Sequence, residues 1–208
     1  AGVAILDSSG DLEIFKSVGK VSELERTVEG KDVFGTLGIA HTRWATHGEP
    51  STINSHPHTS MSGRLAIVHN GIIENYDILK RKLSDKGYKF VSSTDTEVLV
   101  QLIEYIQDEG NIDLLTAVQL ALKEVIGAYA IAIVDRCNPG TIIAARKSSP
   151  LVVGVGENEF FLASDATPLV EYTNKVIYLS DGEIVVLKND TQPKIVDLNN
   201  VECSHEAQ

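Results

Sequence analysis

Apolar residues recur along this chain in two rhythms. Near its start, GVAIL and LEIFKSV flank DSSGD, apolar runs on either side of a turn cluster, which predicts a β-hairpin. SELE, with Ser22 and Glu25, has the spacing of a capping box opening a short helix that Gly30 can close. FGTLGIA and RLAIVH read as buried strands, one on each side of a polar stretch, HTRWATHGEPSTINSHPH, at residues 41–58. The rhythm then becomes helical. NYDILKRKLSDKG predicts a helix with Asn75 as N-cap and Gly87 as its stop. TDTEVLVQLIEYIQDEG predicts the clearest helix: Thr94 and Glu97 form a capping box, and Val98, Leu99, Leu102, Ile103 and Ile106 share one face. IDLLTAVQLALKEV predicts a third helix in this group.

From residue 127 short apolar runs return. AYAIAIVD, TIIAAR, LVVGVG and FFLAS are separated by turn chemistry such as NPG and GEN, and KVIYLSDGEIVVLK predicts a hairpin about its Asp-Gly pair. Strand clusters with helices grouped between them predict an α+β sandwich of mainly antiparallel sheets, not alternating βαβ units. One domain is expected over residues 1–198, with 199–208 as a polar tail or the start of a linker.

Composition removes several function classes. The 208 residues are 43% hydrophobic and 23% charged, ordinary for a globular chain with a sizeable core. A net charge of −11 offers no basic stripe to offset phosphate charge, so no nucleic-acid partner is expected. No apolar run approaches the ~20 residues that span a bilayer and no signal-peptide pattern opens the sequence, so no membrane partner is expected. Cys137 and Cys203 are isolated thiols, which suits a reducing compartment and a cytoplasmic location.

The polar stretch carries the chemistry. Of six histidines, His41, His47, His56 and His58 fall in it together with Arg43 and the sole tryptophan, Trp44; His69 follows in VHNG. A zinc site would draw on His56 and His58, but thiolate ligands are far off in sequence and Pro57 makes turn roles as natural; no metal and no cofactor are expected. Acid/base catalysis would need a nucleophile elbow, and no GxSxG is present. Histidines satisfied by backbone bonds in a packed loop explain any one of them, yet not the gathering of Arg, Trp, Thr and several His. A pocket for a polar zwitterion does explain it: Arg forks onto a carboxylate, a carboxylate takes the ammonium, and an aromatic covers both. The candidate carboxylate is Asp95 in STDTE, at the start of the clearest helix, where plain helix capping is the competing role. Asn70 and Gly71, expected to end a strand, are a candidate donor pair for the oxyanion of an acyl-transfer intermediate, although Asn-Gly is first a turn signature.

Taken together, GIAHTRWATHGEPSTINSHPH, IVHNGIIEN, STDTEV, GAYAIAIVD and AARKSSPLVVGVGENEFFLASDATPL closely resemble the glutaminase domains of the glucosamine-6-phosphate synthase (glutamine–fructose-6-phosphate aminotransferase) family, over nearly the whole chain. Phosphoribosyl-pyrophosphate amidotransferase and asparagine synthetase share the fold and the Asn-Gly pair but not the HTRWATHG wording. The resemblance implies an N-terminal-nucleophile hydrolase-like four-layer sandwich, two mainly antiparallel sheets between helical layers. It implies that Arg43 clamps the α-carboxylate of glutamine and Asp95 its α-ammonium. Thr46, His47 and Gly71 would line the pocket, Asn70 and the Gly71 N–H would form the oxyanion hole, and Trp44 would gate the ammonia route. It further implies glutamine and glutamate as ligands and sugar-isomerase domains as partners in the same protein. One departure stands out: the family attacks with an N-terminal cysteine, and this chain opens AGVAIL. The expectation is a glutaminase fragment inactive as it stands; the alternative is a non-catalytic module that senses glutamine.

Overall fold

Alternation of side chains decides how the central sheet is used. The computed structural model describes residues 1–7, 9–31, 33–42, 49, 51–189 and 191–205. Among them, six strands pair antiparallel in the order β12-β11-β7-β6-β5-β4. These are β4 (His58–Thr59), β5 (Leu65–Ile73), β6 (Gly127–Asp135), β7 (Thr141–Lys147), β11 (Glu183–Lys188) and β12 (Lys194–Asp197). Along β5 and β6, Leu65, Ile67, Tyr129, Ile131 and Ile133 pack under the helices, while Ala66, Ala130, Ala132 and Val134 face a second layer of strands. Alanine at three of those four positions keeps the second face shallow, which leaves room between the layers.

The covering helices are α2 (Tyr76–Asp85), α3 (Asp95–Gly110) and α4 (Leu114–Glu124). Gly87, at φ 92°, ends α2 as expected: its N–H donates to the Ser84 carbonyl at 2.9 Å and that of Tyr88 to the Leu83 carbonyl at 3.0 Å. Asn75 stands at the N-cap but does not cap. Its Nδ2 donates to the Glu124 carbonyl at 2.8 Å and its Oδ1 accepts from the Ile126 N–H at 2.9 Å, tying α2 to the end of α4. At α3, Thr94 Oγ1 accepts from the Glu97 N–H, but the reciprocal arm of the expected capping box is absent. The Glu97 carboxylate turns instead to the N–H groups of Val91 and Ser92. Nor is α3 buried on one face alone: every residue from Asp95 to Glu104 is buried. Its polar members are served by chain segments lying across it, Gln101 accepting from the Met61 N–H and donating to the Lys89 carbonyl, and Glu104 accepting from Ser62.

The second layer consists of two three-stranded sheets, β2-β1-β3 and β10-β8-β9. In the first, β1 (Gly2–Leu6) and β2 (Leu12–Lys16) form the expected hairpin, and β3 (Leu37–His41) pairs on the other side of β1. The second contains β8 (Val152–Val155), β9 (Phe160–Ala163) and β10 (Val176–Tyr178). The hairpin expected about Asp181-Gly182 does not form, because β10 pairs with β8 while β11 pairs with β7 and β12. The Asp-Gly turn carries the chain between layers, anchored where Asp181 accepts from Arg146 and from the Ser148 N–H, both at 2.8 Å. The capping box expected at Ser22 is likewise absent: α1 (Val21–Val28) starts after Lys20, so Ser22 lies inside the helix. Helix α1 adjoins β2 and buries no residue. After β12 the polar segment turns back, Asp197 N–H donating to the Val201 carbonyl and Cys203 N–H to the Ile195 carbonyl, each at 2.9 Å. His205 Nε2 meets Glu183 Oε1 at 2.9 Å. Among the described residues no helix is long and apolar enough to cross a membrane.

Candidate active site

Strand β5 is where the two layers and the helices meet. Asn70 and Gly71 do not end it, as the turn signature suggested; pairing with β6 runs on to Ile73, with Asn70 opposite Ala130 and Gly71 opposite Tyr129. Only glycine fits at 71. Its φ is 127°, and a Cβ there would lie 2.2 Å from the Ala128 carbonyl oxygen. Asn70 faces a cavity of about 610 Å³ between the layers, bordered by β3 and β9 and lined by His41, Thr42, Ile39, Ala130, Phe161 and Ser164 among others. His41 Nε2 lies 2.7 Å from Asn70 Oδ1. An amide oxygen only accepts, so the imidazole donates and the NH₂ of Asn70 is the group left to serve the cavity.

On the helix side, Asp95 opens α3 and is 4% exposed. Its Oδ2 accepts from the Ile73 N–H at 2.8 Å and its Oδ1 from the Thr96 N–H at 3.0 Å. Asp95 is thus tied to the strand that carries Asn70, three residues along, although it does not line the cavity. His69, the residue before Asn70, points toward α3, with its Nδ1 3.0 Å from Thr96 Oγ1 and 4.0 Å from Asp95 Oδ2. Sequence reasoning placed His41 in the polar stretch without seeing its partner Asn70, and it missed Thr96 and Asn54; adjacency to Asp95 was the only signal for Thr96.

Arg43, Trp44, Thr46 and His47 lie outside the described residues. The described chain on either side is fixed near the two ends of the site. His41 bonds Asn70, while the Glu49 carbonyl accepts from Asn54 Nδ2 at 2.9 Å. Asn54 Oδ1 in turn accepts from the Ser93 N–H at 3.0 Å, two residues before Asp95.

Among the described residues the other histidines, Tyr129 and the two cysteines have other surroundings. His56 Nε2 is 3.2 Å from Thr96 Oγ1 and His58 Nε2 is 3.0 Å from Thr94 Oγ1, so both imidazoles serve the α3 entrance. Among the described residues no group of three or more His, Cys, Asp and Glu side chains is placed to hold a metal ion. Tyr129 is fully buried opposite Gly71, and burial, then Asp181, pushes its phenol up to about 12, so it stays neutral. Cys137 lies beyond the far end of β6, whose last residue, Asp135, is on the order of 17 Å from Ala130 at ~3.3 Å per residue. Cys203 bonds β12, four strands from β5, roughly 19 Å at ~4.8 Å per strand. Burial and then Glu183 push the Cys203 thiol up, away from thiolate.

Comparison with known proteins identifies the family and the fold. The chain is 66% identical over 206 residues to the glutamine–fructose-6-phosphate aminotransferase (isomerizing) of Bacteroides thetaiotaomicron, covering 99% of this chain and 34% of that one. It is 52% identical over 206 residues to the Chlorobaculum tepidum protein of the same description, covering 97% and 33%. The chain therefore spans about a third of the length of these relatives. Among solved structures, glutamine phosphoribosylpyrophosphate amidotransferase from B. subtilis superposes with a TM-score of 0.77 at 29% identity, over 95% of this chain and 42% of that one. The fold is accordingly the α+β sandwich of N-terminal-nucleophile amidotransferases. The family described as "Glutamine amidotransferase domain" matches residues 41–171, a span that holds the Asn70–His41 contact, the buried Asp95 and the whole of α3, and this chain belongs to that family.

Proposed function

We propose that this chain is the glutamine-binding and glutamine-hydrolysing domain of a cytoplasmic glucosamine-6-phosphate synthase. Its ammonia would pass to sugar-isomerase domains of the same protein, which convert fructose 6-phosphate to glucosamine 6-phosphate. The observation that carries the reading is one strand: β5 presents Asn70 to the cavity and, three residues on, holds Asp95 through the Ile73 N–H.

In this reading Arg43 forks onto the α-carboxylate of glutamine and Asp95 receives its α-ammonium, with Thr46, His47 and Gly71 completing the pocket. Held at both ends, the side-chain amide reaches Asn70. A thiolate adds to the amide carbon, and the charge that collects on its oxygen is met by Asn70 Nδ2 and the Gly71 N–H. The tetrahedral intermediate, its nitrogen taking the proton the thiol gave up, collapses to a thioester and ammonia, which leaves past Trp44; water then cleaves the thioester to glutamate and the free thiol. Neither Cys137 nor Cys203 is placed to supply the thiolate. Strands β3 and β9 each end their sheet at the cavity, which gives a cysteine-bearing strand a place to pair.

The test is ammonia release from glutamine. This chain alone releases none, while the intact protein with an N-terminal cysteine does so and is stopped by a thiol reagent. Steady release from this chain alone, abolished by the same reagent, overturns the mechanism. Glutamine binding without thiol-sensitive release in the intact protein selects the sensing module instead.

A further inference from the structure

His69 N–H lies 3.3 Å from His56 Nδ1, and an amide can only donate, so that ring nitrogen is bare and His56 carries its proton on Nε2. That proton goes to Thr96 Oγ1 at 3.2 Å, which leaves the Thr96 hydroxyl proton able to donate to His69 Nδ1 at 3.0 Å, and we assign it there. His69 in turn holds its proton on Nε2, facing the Ala128 carbonyl at 3.4 Å. In this assignment all four bonds run in one direction. The last acceptor is the carbonyl against which Gly71 is pressed. His69, 3% exposed, precedes Asn70, and Thr96 follows Asp95. Loop residue 56, strand β5, the start of α3 and strand β6 are joined by three side chains.

We propose that His56, Thr96 and His69 are positioning residues that hold the Asn70–Gly71 donors in register with Asp95. None of them touches the amide of glutamine; they act through the donors, and the inference rests on the glutaminase reading above. A hydroxyl is needed at 96 because it alone receives from one ring while donating to the other. Valine keeps the shape of threonine and ends the circuit there.

In the intact enzyme, Thr96→Val should lower glutaminase turnover roughly 10- to 100-fold, the cost of a misplaced donor, with the Michaelis constant for glutamine little moved. Thr96→Ser should restore most of it. Combined with Asn70→Ala, the loss should be less than additive, because both changes act on the same donors. A merely structural role predicts a lower melting temperature, unchanged turnover per folded molecule and additive losses, and that outcome overturns the circuit. If Asn70→Ala alone leaves turnover intact, the oxyanion reading fails first; if only Thr96→Val is silent, the circuit alone fails. Should Thr96→Val not fold, ¹⁵N spectra of the unaltered protein decide: Nε2–H tautomers at both His56 and His69 are expected, and an Nδ1–H tautomer or an imidazolium at either overturns the circuit.

Discussion

The Ile73 N–H donates to Asp95 Oδ2 at 2.8 Å, so the end of β5 and the first residue of α3 share a bond shielded from water. Asp95 therefore carries a structural load as well as its proposed contact with an ammonium, and two substitutions separate these. Asp95→Asn keeps an oxygen for Ile73, removes the countercharge and turns an NH₂ toward the Thr96 N–H, so glutamine should bind more weakly by about 2 kcal/mol, roughly thirtyfold, with a smaller loss of melting temperature than Asp95→Ala. Asp95→Ala should add about 1–3 kcal/mol of destabilisation or more by leaving the buried N–H groups of Ile73 and Thr96 without their carboxylate acceptor. Arg43→Lys, which keeps charge and loses the fork, should weaken binding to the same degree. Michaelis constants and thermal denaturation measured side by side check all three, and unchanged constants in both Asp95→Asn and Arg43→Lys remove the assignment.

Asn70→Ala should behave differently. The amide oxygen of bound glutamine gathers charge only as the thiolate adds, so a donor aimed there acts on the transition state. Turnover should fall by ~10² to 10³ in the intact enzyme with the Michaelis constant barely altered. Ammonia-dependent amination of the sugar should continue. A destabilised but fully active variant would reduce Asn70 to a partner of His41.

Gly71→Ala tests the close approach of β5 and β6. Its φ of 127° and the 2.2 Å separation of a Cβ from the Ala128 oxygen leave the strands no way to stay paired undisturbed. The backbone conformation alone costs on the order of 1–3 kcal/mol. Denaturant titration should show at least that loss, and a variant as stable as the parent would contradict the geometry at this crossing.

Lys16 supplies a pH dependence. Burial lowers its ammonium from the ordinary 10.5 to about 8, outweighing the opposing attraction of Glu97. Between those values the unfolded chain binds more protons than the folded one, so this residue's contribution to stability rises with pH from 8 to 10.5. Below 8 the folded chain carries the full penalty of a half-buried charge. Lys16→Met should then raise the melting temperature at pH 7 by ~2–4 °C, about 1 kcal/mol once solvent screening is discounted. The gain should fade between pH 8 and 10.5 and be gone above that; a variant less stable at pH 7 would mean that attraction to Glu97 outweighs burial.

What the sequence revealed was local. The stop at Gly87 and the cap at Thr94 rest on bonds within a few residues, and the order of strands and helices followed from periodicity. What it hid was long-range. An Asp-Gly turn has the same chemistry whether its flanking strands pair or part, and only the register of β11 on β7 shows that they part. Glu97 has the spacing of a capping box, yet Val91 and Ser92 offer its carboxylate two nearer donors. In the site, Arg43, Asn70, Gly71 and Asp95 were singled out by residue type and resemblance. The partnership of His41 with Asn70 joins residues 29 apart, and no spacing rule encodes it.

The two strand ends that border the cavity bear on how the chain behaves in a tube. Strands β3 and β9 each leave one flank without a partner among the described residues, and such flanks invite copies of a chain to stitch together. At neutral pH eleven excess negative charges keep copies apart. Acidification neutralises that repulsion while leaving the flanks open, so turbidity on mild acidification, relieved by a short peptide able to zip into the gap, is the colloidal signature of this architecture.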